Sequence, residues 1–80
     1  MAQQHAVAII IRATLFNSTR RIRKKLRWRG FEEIFPIIPW GSGIDKFLLV
    51  GTADGETLDA LRGIKGVVEI GSEPVSETRE

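Results

Sequence analysis

Four short stretches of the chain are apolar at nearly every position, and segments rich in turn and capping residues separate them. Residues 6–12 read Ala-Val-Ala-Ile-Ile-Ile-Arg, a β-branched run with no polar alternation. Such a run suits a strand buried on both faces or lying centrally in a sheet. Asn17, Ser18 and Thr19 then offer three candidate N-caps for a helix reaching about Arg29, with Gly30 placed as its C′ residue. Residues 31–38 read as a second strand that contains Pro36 and is followed by Pro39. Proline cannot donate to a ladder, so this strand belongs at an edge or carries a bulge. Residues 40–43 form a turn, and residues 46–52 (Lys-Phe-Leu-Leu-Val-Gly-Thr) form a third, almost wholly apolar strand.

Asp54 can cap a second, shorter helix ending near Arg62, with Leu58 and Leu61 three apart on its buried side. Gly63 and Gly66 bracket a tight connection to a fourth strand over residues 67–70. Residues 72–80 hold one apolar residue in nine and read as a mobile tail. One domain spans residues 1–80, with an ordered core over about 6–71. The order βαββαβ, with right-handed crossovers, predicts an α+β ferredoxin-like sandwich: a four-stranded antiparallel sheet with two helices on one face. In that topology the first and third strands are central. They are also the most apolar runs here, whereas both strand-region prolines fall in or beside the second strand.

Charge alters the picture more than composition does. The formal net charge is only +2. Residues 1–30 nevertheless carry eight basic and no acidic side chains, and residues 31–80 carry four basic and ten acidic ones. Seven of the twelve cations lie between Arg20 and Arg29. At about 100° per residue, Ile22, Leu26 and Arg29 form the buried stripe of this helix. Arg20, Lys24 and Arg27 then occupy the outer face beside Trp28, with Arg21 and Arg23 on the flanks. The helix has no carboxylate for i,i+4 pairing, and Arg20 and Arg21 sit where the helix dipole disfavours cations. A polyanionic partner would supply the missing charge. Arg20, Arg23, Lys24 and Arg27 are the candidate phosphate contacts, and Trp28 either stacks on a base or packs against the edge of the sheet. The competing reading has the Lys/Arg stems covering apolar surface, with some heads paired to Glu32 or Glu33.

Other chemistry is sparse. The absence of cysteine excludes disulfides, thiolate metal sites and cysteine nucleophiles. The lone histidine, His5, lies near a loosely held N-terminus and cannot build a triad or a two-histidine metal site. The glycine-rich turn at residues 41–43 joins two strands and lacks the lysine and helix start of a phosphate cradle. Asp54, Glu56 and Asp59 are explained by the dipole of the second helix. Trp40, Ile44 and Phe47 form an apolar patch at a hairpin, either a lid on the core or a protein-docking surface. No catalytic residue, cofactor or metal is expected. The longest apolar run has six residues, far short of the ~20 needed to span a bilayer, and no signal peptide is read, so the expectation is a cytoplasmic, non-enzymatic domain.

The segments Gly30-Phe31-Glu32-Glu33-Ile34-Phe35-Pro36, Phe47-Leu48-Leu49-Val50, Glu56-Thr57-Leu58 and Gly66-Val67 together resemble the N-terminal domain of NusG-type transcription elongation factors. The resemblance covers roughly residues 20–71. It implies a ferredoxin-like fold that grips RNA polymerase through an apolar surface flanked by charge. The expected function is therefore a small adaptor that binds DNA or RNA, or the transcription machinery, through its basic first helix. The alternative is a self-associating structural or small-ligand-sensing ferredoxin-like regulatory domain, a homodimer formed through the sheet, across its exposed face or along an edge.

Overall fold

The computed structural model describes residues 3–74. Strand β1 (Gln4–Arg12) leads through a tight loop into helix α1 (Thr19–Trp28), followed by two short strands, β2 (Glu32–Glu33) and β3 (Ile38–Pro39). Strand β4 (Lys46–Asp54), a 3₁₀ turn (Gly55–Thr57), helix α2 (Leu58–Arg62) and strand β5 (Val67–Pro74) complete the order. All strand pairings are antiparallel. The sheet order is β2-β4-β1-β5, and β3 also pairs with β4. The two most apolar runs are thus its central strands. This small α+β structure is compatible with the ferredoxin-like expectation.

The predicted second strand is divided, and its chemistry explains why. Glu32 and Glu33 pair with Thr52 and Gly51, while Ile38 and Pro39 pair with Leu48 and Phe47. Between them, the amides of Ile34 and Phe35 both donate to the Val50 carbonyl, at 2.9 and 3.3 Å. Two residues therefore oppose one, and Pro36 has no N–H with which to resume the ladder. The edge placement follows the prediction, but an unbroken strand over residues 31–38 does not form.

Alternation along β1 and β4 sorts their side chains between two faces. Val7, Ile9 and Ile11 of β1 and Leu49 and Ala53 of β4 are buried on one face. They form a single core with Ile22 and Leu26 of α1, Phe31, Leu61 of α2 and Ile64. Fully burying such side chains stabilises the fold by about 1.5–3 kcal/mol each, so this cluster dominates the folding energy. Ala6, Ala8 and Ile10 point to the other side, which no element covers among the described residues. Of the two readings of the β1 run, buried on both faces or central in the sheet, the structure takes the second, with one face buried.

Local details refine the predicted boundaries. Ser18 caps α1 by accepting a hydrogen bond from the Arg21 amide at 3.2 Å, and Gly30 follows its end at φ +104°. Asn17, the neighbouring candidate, is buried and does a different job: its side-chain amide donates to the Lys65 carbonyl at 3.0 Å. Asp54 precedes the 3₁₀ turn without capping it; its carboxylate accepts from Gln4 instead, at 2.9 Å. β5 extends past Gly71 to Pro74, pairing Ser72, Glu73 and Pro74 with β1 where a mobile tail was expected. The remainder of that predicted tail lies outside the described residues. His5 is likewise held in β1, opposite Ala53 and Pro74, with its Nδ1 atom buried and unpaired. No described helix is long and apolar enough to cross a membrane.

Candidate nucleic-acid interface

Helix α1 lies on the sheet through Ile22 and Leu26, and this fixes where its cations point. Arg20, Lys24 and Arg27 are exposed, as the helical wheel requires. Arg23 is not free. Its guanidinium makes a bidentate pair with Glu33 of β2, Nε to Oε2 at 2.9 Å and Nη2 to Oε1 at 2.8 Å. These hydrogen bonds raise the Arg23 pKa; partial desolvation opposes the rise and the carboxylate's charge adds to it. Arg23 therefore leaves the set of cations available to a phosphate. Glu33 reaches it because β2 runs beside α1, an apposition that a wheel drawn for the helix alone does not contain.

The opposite flank of α1 faces the end of α2 and the turn that follows. There, Lys25, Trp28, Arg29, Ala60, Gly63, Ile64 and Lys65 line a groove of about 490 Å³. Trp28 is 80% exposed, so its indole does not serve as packing. Three cations line the groove with it, and among the described residues no carboxylate does. The wheel missed two of them. Lys25 lies on the flank towards α2, and Arg29, assigned to the buried stripe, is the exposed C-cap residue. Lys65 arrives from a distant part of the sequence.

The fold places Lys65 deliberately. Its carbonyl is tied to Asn17, and Gly66 follows at φ +104°. A Cβ at Gly66 would lie 2.6 Å from Ile22 Cδ1 and 2.9 Å from Asn17 Nδ2. Only glycine lets the chain pass this close to α1 in that conformation. The connection read as a simple helix stop and turn thus also presents a lysine to the groove.

The predicted docking trio is only partly assembled. Ile44 is 95% exposed at the hairpin tip, and Phe47 is half-buried against the core. Both line a shallow groove of about 470 Å³ with Ala13, Thr14, Leu15 and Ser18. Trp40 is partly exposed and does not line this groove. Leu15 and Phe16, 89% and 84% exposed, were not singled out in the sequence. The available signal was an apolar pair inserted in a polar approach to a helix. The Ala13 amide donates to the Asp45 carbonyl at 2.8 Å, which holds the two loops together.

No family model matches the chain, and neither curated proteins nor solved structures give a significant match.

Proposed function

We propose that this protein is a non-enzymatic adaptor that binds single-stranded nucleic acid in the groove between its two helices. The observation that carries this reading is the exposed Trp28 indole among Lys25, Arg29 and Lys65, with no carboxylate in the lining. A flexible strand can lay a base on the indole while its phosphates meet the flanking cations; a stiff duplex cannot offer its base faces in this way. Arg20, Lys24 and Arg27 extend the cationic surface over the outer face of α1 and strengthen attraction at longer range.

The order β1-α1-β2-β3-β4-α2-β5, with β2 and β3 read as one divided edge strand and β1 and β4 central, supports a ferredoxin-like assignment, and with it the likeness to NusG-type N-terminal domains. On that reading RNA polymerase is the machinery approached, and Leu15, Phe16, Ile44 and Phe47 form the docking surface at the loop end of the sheet. Two measurements separate the parts of this proposal. Oligonucleotide binding by fluorescence anisotropy should favour single strands over duplex and weaken as salt rises. Equal affinity for the two, or indifference to salt, would remove the groove mechanism. Retention of the protein by purified RNA polymerase should be lost on Ile44→Asp, and retention unchanged by that substitution would remove the docking surface.

A further inference from the structure

The uncovered face of the sheet is independent of the helix groove and lies on the other side of the molecule. A sheet with one solvated face ordinarily alternates apolar and polar residues along its strands. β1 and β4 do not: their outward positions include Ala6, Ala8, Ile10, Leu48 and Val50. The pattern is that of a sheet covered on both sides, and among the described residues only one cover belongs to this chain.

Register shows what fits there. At one end, Ala6 lies between Thr52 and Glu73, and Glu32 flanks Thr52. In the next outward row Ala8 lies between Val50 and Gly71. The small residues leave a hollow of about 310 Å³ lined by Ala6, Ala8, Val50, Gly71 and Glu73. Further along, Ile10 and Leu48 stand side by side and make a ridge, with Ile38 beside Leu48 and the exposed Glu69 of β5 beside Ile10. Beyond the ridge, Arg12 lies opposite Lys46, and its guanidinium stands 3.7 Å from the Asp45 carboxylate. From end to end the face therefore runs from a hollow flanked by Glu32 and Glu73 to a ridge flanked by Lys46, with Glu69 at the ridge's β5 edge and Arg12 paired to Asp45.

We infer that a second copy of this chain covers the face, turned end for end about a two-fold axis running across the strands. That operation seats Ile10 and Leu48 of each copy over the hollow of the other. It also brings each Lys46 towards the other copy's Glu32. A two-fold contact requires a patch complementary to itself, and here size and charge satisfy that requirement under the same rotation. Aligned packing of the two sheets leaves the basic helices on opposite outer faces of the dimer. The paired area spans roughly 20 Å along the strands and roughly 20 Å across them, at the small end of specific interfaces. A reversible dimer with a dissociation constant on the order of 1–100 μM is expected.

Sedimentation equilibrium of the purified chain across that concentration range tests the assignment. The mass should pass from monomer to dimer. Gly71→Arg fills the hollow at a position where a Cβ meets nothing within 4 Å, and it should raise the midpoint at least ~10-fold. An unchanged circular dichroism spectrum and melting temperature establish that this variant folds; Ala8→Gln is the second variant, expected to act in the same direction. Lys46→Glu should weaken the dimer, and Glu32→Lys added to it should restore the original midpoint. A wild-type chain that remains monomeric throughout overturns the inference, because the face then awaits another molecule. So does a dimer insensitive to Gly71→Arg and Ala8→Gln, which would be joined by strand edges instead. Failure of Glu32→Lys to rescue Lys46→Glu overturns the end-for-end arrangement.

Discussion

The two flanks of α1 carry the same kinds of side chain and meet opposite fates. On the flank beside β2, Arg23 finds Glu33 and both charges are satisfied within the chain. On the flank beside α2, Lys25, Arg29 and Lys65 gather around an exposed Trp28 with no carboxylate in the groove lining. Sequence composition alone would treat all these cations alike. The difference lies in what the fold brings alongside: an acidic strand on one side, and a helix end with a basic turn on the other. A cation paired internally contributes to stability, whereas a cation left beside an exposed aromatic is available to a ligand. The groove flank is therefore assigned to binding and the β2 flank to architecture.

Charge reversal in the groove should produce the largest effect. Lys25→Glu combined with Lys65→Glu removes two charge-assisted contacts, each worth about 1.5–3 kcal/mol, and should reduce single-strand affinity by at least ~100-fold at low salt. Anisotropy titrations check this, and a loss below tenfold would erase the proposed distinction between the flanks. Next in size is Gly66→Ala, which forces a Cβ against Ile22 and Asn17. It should destabilise the fold by about 2–3 kcal/mol in urea unfolding. A neutral result would show that Lys65 is not held in place by its backbone. Trp28→Ala should cost about 1–3 kcal/mol of binding while leaving the melting temperature unchanged, since the exposed indole stabilises little.

The smallest effect belongs to the paired flank. Arg23→Ala and Glu33→Ala should each lower stability by about 1 kcal/mol, and a double-mutant cycle should reveal their coupling. Arg23→Ala should change oligonucleotide affinity less than twofold. Because the Arg23 pKa is raised, the arginine's share of this stability is fully present below the ordinary arginine range and fades only as pH climbs above it. Denaturation midpoints followed from neutral to mildly alkaline pH should therefore show no change traceable to this residue.

Much of the scaffold was legible from local chemistry. The unbroken apolar runs of β1 and β4 marked them as central, because a strand flanked on both sides and packed on a core needs apolar side chains whichever partners it meets. Gly30 and the run of three candidate caps that includes Ser18 marked the ends of α1, because caps act through neighbouring amides. Pro36 gave warning of an irregular edge, although the number of paired residues depended on how the chain recovered after it. The site was less visible, for a physical reason. A helical wheel places residues around their own axis and carries no information about what lies beside it. Pairing of a helix cation with Glu33 was named as the competing reading, but which cation it takes, and that Lys65 reaches Trp28 from the turn before β5, are tertiary facts. Arg29 was misplaced because a C-cap residue leaves the helical path on which the wheel is drawn. Leu15 and Phe16 were visible but unread, two apolar residues where a capping segment needed none.

The groove assignment is tested most directly by the fluorescence of Trp28. In a Trp40→Phe variant, Trp28 is the sole indole of the chain. Titration with a short single-stranded oligonucleotide should quench its emission. With three groove cations engaged, the logarithm of the affinity should fall against the logarithm of salt concentration with a slope near about −2. Binding that leaves Trp28 emission unchanged, or quenching that ignores salt, would contradict the account and return α1 to the role of a solvated structural helix.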